Sequence, residues 1–421
     1  MSLFPCLRTV CVVLAAVLSI ACGNGDPVAA LVQNVPTRPS ADVPRVPGTK
    51  VFEAVRAVPD VDPGIDHFME VAGVVPLEVT EEAIVGEVTS LVWLDGHWYL
   101  TDKLQQKVFC FRQDGRFVRA FGGLGQGPGE FQSVRTIRVA FDDHLAIADL
   151  QFGAIHLFRP DGTFVRRVQP HIDGKVFLSR IQFEWPREDL LIMARFASAD
   201  PVAPLHVALD PDASSPRVLF GFGRRNPAAT EALARGVGLK AFTAFARVGD
   251  TIWSGSPYET VVSVFDLDGY FHADLGTDIA RNPETMLQAE DVEGLADVTD
   301  PRGETVRNLV QKGANHMILP VDDRVLVWLG EAFDLYDRAG NLIHGNLKTH
   351  RMIPVGTGDG LLVTRVPPGL TIDEAVRHYG GEAIRNHLET HEYPGYDNPF
   401  LVLYRFREEA FTQTRESLDL N

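Results

Sequence analysis

Cysteine is nearly absent from the body of this chain. Of the four, Cys6, Cys11 and Cys22 crowd the N-terminus and only Cys110 lies further in, so no disulfide framework can hold the fold. No long apolar run is present either: residues 9–21, TVCVVLAAVLSIA, stop short of the about 20 residues a membrane-spanning helix needs. Basic residues are in the minority, 39 against 56 acidic, and the net charge of −17 repels phosphate backbones and excludes nucleic acid as a natural partner. Neither phosphate-cradling pattern, G-x-x-x-x-G-K-[ST] or G-x-G-x-x-G, occurs, nor a G-x-S-x-G nucleophile elbow or a Cys/His cluster with zinc spacing. What remains is 45% hydrophobic and 23% charged, the composition of a folded chain with a large core rather than a disordered one.

The N-terminal apolar run follows Arg8 and reads as the core of a secretory signal. Its ending, Leu18-Ser19-Ile20-Ala21-Cys22-Gly23, resembles the lipobox of bacterial lipoproteins, in which the Cys is lipidated and becomes the first mature residue. Ser19 and the single preceding positive charge depart from that pattern, and Ser19-Ile20-Ala21 also suits an ordinary signal-peptide cut. The expectation is a signal over 1–22 with a lipidated Cys22. Residues 23–66 then carry prolines at 27, 36, 39, 44, 47, 59 and 63 with few aromatics, which suits a flexible tether.

Beyond the tether one unit is written twice. Asp102 and Asp149 stand 47 residues apart, and Val108/Ile155, Phe111/Phe158, Arg112/Arg159, Asp114/Asp161, Gly115/Gly162, Phe117/Phe164 and His97/His144 keep the same offset. Short alternating runs joined by Asp-Gly turns make a four-stranded unit of the length of a propeller blade. Six inner-strand candidates follow one another near 89–94, 136–141, 179–183, 242–248, 316–321 and 351–355, which predicts an all-β, six-bladed β-propeller over 67–408 with a C-terminal tail over 409–421. The sixth unit is one strand short, so 67–72 or 77–79 should supply its outer strand and close the ring. Helical insertions are expected at about 226–236, 282–310 and 370–392, the last opened by a capping box, Thr371 to Glu374.

Between the two clear copies lies Phe121-Gly122-Gly123-Leu124-Gly125-Gln126-Gly127-Pro128-Gly129-Glu130-Phe131. It resembles the blade-linking signature of NHL-type six-bladed propellers, and especially of bacterial six-bladed β-propeller lipoproteins. The resemblance implies the fold and an extracytoplasmic setting. It implies no single activity, since such propellers include binders, scaffolds, lyases and lactonases, the last holding calcium through Glu, Asn and Asp on separate blades.

Several residues bear on function. Arg135, Arg180 and Arg351 recur near the starts of inner strands, and His316 stands at the fifth, so three guanidiniums and an imidazole would approach one channel mouth and suit an anionic group. The competing reading pairs each Arg with an acid of a neighbouring blade, for which Asp102 and Asp149 are available. Those two aspartates themselves read as acceptors for backbone amides of the next turn. Cys110, where the second copy has Leu157, reads as a buried apolar residue. His387 and His391 share a helix face, but Glu389 is misplaced for H-E-x-x-H, and with His378 they read as a solvated helix. The expected protein is a monomer without cofactor, lipid-anchored in the cell envelope with its propeller in the periplasm or at the cell surface. It recognises or scaffolds a protein, peptide or glycan. The alternative is a lyase or lactonase with Ca or Zn in the channel.

Overall fold

The computed structural model describes residues 50–52, 65–172, 175–176, 182–194, 205–211, 217–223, 244–255, 261–277, 316–329, 332–348, 354–367, 373–374, 384–386, 389 and 398–411. It is a six-bladed β-propeller. Blade 1 runs Val88–Leu94, His97–Asp102, Lys107–Arg112 and Phe117–Gly122; blade 2 runs Val134–Val139, Leu145–Asp149, Ala154–Phe158 and Phe164–Val168. Blade 3 comprises Phe183–Arg187, Leu190–Ala194, His206–Asp210 and Arg217–Phe222, and blade 4 Ala244–Val248, Thr251–Gly255, Val261–Asp266 and Phe271–Thr277. Blade 5 is His316–Val321, Arg324–Leu329, Ala332–Asp337 and Leu342–Lys348.

Blade 6 closes the ring as the missing strand required. Its strands Pro354–Gly358, Leu361–Val366 and Phe400–Phe406 take Met69–Pro76 as the outer fourth, antiparallel, from Met69 opposite Phe406 to Pro76 opposite Phe400. Asn398 locks this closure. Its buried side chain accepts the Val85 amide at 2.6 Å and donates to the Glu78 and Ala83 carbonyls at 2.8 and 2.6 Å, joining the two ends of the propeller chain. The first strands of successive blades touch one another all the way round and so line the channel.

The middle strands are apolar on both faces because each sheet is covered on both. Leu145–Asp149 and Ala154–Phe158 are buried at every position, whereas outer strand Phe164–Val168 alternates with solvent. The core accordingly divides into clusters at the six blade interfaces: Phe109 and Trp98 with Val363 between blades 1 and 6, for example, and Ile147 and Phe158 with Tyr99 between 2 and 1. Cys110 belongs to the latter cluster, fully buried.

The glycine-rich linker is a tight crossing between blades, followed by a strand. Gly122 has φ +86°, and a Cβ there would lie 2.3 Å from the Phe131 ring, so the linker folds directly over an aromatic of the core.

The described parts of the inner strands of blades 3 and 6 run Phe183–Arg187 and Pro354–Gly358, and the expected starts near 179 and 351 lie outside the described residues. The inner strand of blade 6 lies close against blade 1. A Cβ on Gly356 would meet the Leu91 carbonyl at 2.7 Å and one on Gly358 the Trp93 Cβ at 2.2 Å, so glycines that read as a turn are strand residues pressed against blade 1. In blade 3 the ladder shifts between Glu184 and Arg187, which accommodates Pro186 inside the strand.

Within 23–66, Lys50–Phe52 pairs in parallel with blade 4's outer strand, Lys50 opposite Leu275, and Ile65–Phe68 forms a helical turn. The expected insertions at 226–236 and 282–310, and Cys22, fall outside the described residues; of 370–392, only 373–374, 384–386 and 389 are described, as helix. Among the described residues no helix is long and apolar enough to cross a membrane.

Candidate functional site

Asp102 and Asp149 end the second strands of blades 1 and 2, on the side where inner strands begin. Both are fully buried. The Asp102 carboxylate accepts the amides of Leu104 (2.7 Å), Gln105 (3.1 Å), Gly86 (2.5 Å) and Glu87 (3.4 Å). Asp149 repeats this with Gln151 (3.0 Å), Phe152 (3.3 Å), Gln132 (2.6 Å) and Ser133 (3.1 Å). Each carboxylate therefore ties the linker entering its blade to the turn leaving its second strand, and is occupied in doing so.

Arg135 stands at the start of blade 2's inner strand, where the ladder skips between Val134 and Thr136. The same skip occurs between Val88 and Ser90, so Thr89 and Arg135 are matched bulge residues, re-aimed out of the regular alternation. The Arg135 carbonyl accepts the hydroxyls of Thr89 at 2.7 Å and Thr101 at 3.2 Å, which fastens blade 2 to blade 1. Its Nε is buried with no hydrogen-bond partner among the described residues, so pairing with Asp102 or Asp149 is not what holds it. His316 begins the inner strand of blade 5 as expected, while Arg180, Arg351, His378, His387 and His391 lie outside the described residues.

Deeper in the channel wall is a group that the sequence pattern did not single out. Glu184, on the inner strand of blade 3, is 8% exposed and lies between two arginines on flanking inner strands. Arg138 Nε of blade 2 is 3.3 Å from its Oε1. Arg247 of blade 4 donates its backbone amide to the carboxylate and adds the field of its guanidinium. Burial raises the Glu184 pKa, opposed by Arg138 and Arg247. The available signal was a lone acid between apolar neighbours, Phe183-Glu184-Trp185, in an inner strand.

The opposite mouth, formed by turns between first and second strands, is acidic. Exposed Asp95, Asp142, Asp143, Glu188, Asp189, Asp250, Asp322, Asp323 and Asp359 put at least one acid on every blade there. Asp95, Asp142, Asp143, Asp322 and Asp359 have φ between 47° and 56°, a left-handed turn geometry that Asp tolerates, which accounts for the residue type. Several are ion-paired at the same mouth, Asp189 with Arg187, Asp250 with Arg247 and Asp323 with Arg324. Among the described residues, no three His, Cys, Asp or Glu side chains are grouped so as to hold a metal ion.

This architecture has known counterparts. A Bacteroides fragilis protein thought to be exported superposes with TM-score 0.57 at 14% identity, over 82% of this chain and 98% of that one. A DUF4221-family member from Bacteroides vulgatus gives 0.49 at 10% identity over 81% and 99%. A catalytically inactive variant of virginiamycin B lyase from Staphylococcus aureus gives 0.41 at 10% over 80% and 99%. At such identities the first likeness shows the fold alone, and the lower two carry no argument. No curated protein matches the sequence. The chain is thus a six-bladed β-propeller, and its residues 52–169, which include blades 1 and 2, match the DUF5128 family, described as a 6-bladed beta-propeller.

Proposed function

We propose that this protein is a non-catalytic recognition or scaffold module for a protein, peptide or glycan, held in the cell envelope by lipid on Cys22. The observation that carries this reading is the state of Asp102 and Asp149. Two carboxylates beside a channel mouth are what an acid/base or metal site would use, and each is already bound to four backbone amides. The recognition face is the mouth where inner strands begin, with Arg135 and, on the sequence pattern, Arg180, His316 and Arg351 toward an anionic group of the partner. The signal-like N-terminus, the proline-rich segment and an exported counterpart of the same fold support a position outside the cytoplasm. The wheel works there as a monomer.

Metal analysis of the purified chain, with partner binding measured before and after chelation, tests the reading. No stoichiometric metal and unchanged binding is expected. Stoichiometric calcium or zinc whose removal abolishes binding would turn the assignment to a lyase or lactonase.

A further inference from the structure

Blade 1 carries a shallow, open depression between its first and last hairpin turns. It is lined by Gly96, His97, Arg112, Gln113 and Asp114, and the about 620 Å³ of space over them is open to solvent. We propose that it binds a saccharide. The inference rests on the recognition reading and names one of its ligand classes, at a second place on the wheel, the opposite end of blade 1 from the Arg135 mouth.

His97 and Arg112 are directly opposed on neighbouring strands, so their side chains leave the same face of the sheet. His97 Nδ1 is 2.6 Å from the Asp95 carbonyl. As donor to that carbonyl it leaves Nε2 of the neutral ring as an acceptor. The Arg112 guanidinium and the Gln113 amide make no side-chain hydrogen bond or ion pair among the described residues, and both are exposed. Asp114 accepts the Arg116 amide at 3.1 Å and lies 3.4 Å from its Nε, with acceptor capacity to spare. Donors and acceptors therefore share the lining of one open depression. A simple anion meets Asp114 and a simple cation meets Arg112, whereas each hydroxyl of a vicinal diol both donates and accepts and can satisfy both.

The second copy of the repeat is an internal comparison. Blade 2 keeps His144, Arg159 and Asp161, but Asp143 stands in place of Gly96 and Pro160 in place of Gln113. There the His144 ring packs 5.3 Å from Phe141, and the Pro160 carbonyl is taken by Tyr99 Oη at 3.0 Å and Arg119 Nη1 at 3.3 Å. In blade 1 a Cβ placed on Gly96 would meet nothing within 4 Å, so this turn faces open space.

Saturation-transfer NMR on the full-length chain with cellobiose, chitobiose and maltose tests the site. Transfer to at least one disaccharide is expected, falling five-fold or more in Gly96→Asp and in Arg112→Ala. Gly96→Asp should fold, because Asp143 already occupies the matching turn at φ 56°. No transfer from the wild-type chain to any of the three overturns the proposal. Transfer that persists unchanged in both variants also overturns this site, while leaving saccharide recognition elsewhere on the wheel standing.

Discussion

Arg138 Nε and Glu184 Oε1 lie 3.3 Å apart and join the inner strands of blades 2 and 3 across the channel wall. The guanidinium is 29% exposed and the carboxylate side chain 10%, so the pair is partly shielded from water and its loss is felt on stability. Arg138→Ala is expected to cost roughly 1–3 kcal/mol, less than breaking a fully buried pair, read from chemical denaturation.

Glu184 also sets a pH dependence. Its folded pKa is raised by burial, so its contribution to stability is fully present below the unfolded carboxyl pKa and is lost as pH rises through the folded value. Glu184→Gln should flatten that part of the stability profile. Denaturation midpoints measured across the acidic range for both chains check it; an unchanged slope would mean that the carboxylate titrates alike in both states.

His156 acts with the opposite sign. Burial lowers its pKa from 6.5 to about 4, so stability present above 6.5 is lost as pH falls through that window. Both ring nitrogens lack hydrogen-bond partners among the described residues, and the ring packs against Phe131 at 5.1 Å and Phe164 at 6.0 Å. The first copy of the repeat has Phe109 at this position, fully buried. His156→Phe should therefore raise stability at neutral pH by about 1 kcal/mol and by more at pH 5, as thermal unfolding at the two pH values will show.

Asp149→Ala strands four backbone amides at the junction of linker and turn, and should lower stability by about 2–4 kcal/mol. Asp102→Ala should behave alike. Urea titration distinguishes this from a chemical role, in which ligand handling would fall while the midpoint stayed put.

Ring closure has its own test in Asn398, whose side chain makes three hydrogen bonds to the chain near residues 78–85. Asn398→Ala should cost roughly 2–3 kcal/mol and let the Met69–Pro76 strand exchange its amide hydrogens before the rest of the wheel. Hydrogen exchange that remains uniform across the blades would assign the closure to the strand ladder alone.

The wheel was legible because two blades are near copies. Asp102 and Asp149 recur with their turns, and a conformation written twice in one chain states its own geometry. The worn copies were less so: Gly356 and Gly358 look like a turn until the neighbouring inner strand stands against them. The Arg135 bulge was hidden too, since one extra residue in a ladder leaves no mark on composition.

By itself the amino-acid order determined the repeated four-stranded unit, the closing strand near residue 70 and the structural use of the repeated aspartates, because each follows from local alternation and turn chemistry. Only the closed ring decided that Arg138, Glu184 and Arg247 share one stretch of channel wall, that His156 is walled off among aromatics, and that one mouth gathers acids from every blade. Those relationships join residues from different blades, and nothing local in the chain encodes a distance that exists only once the sheets are packed face to face.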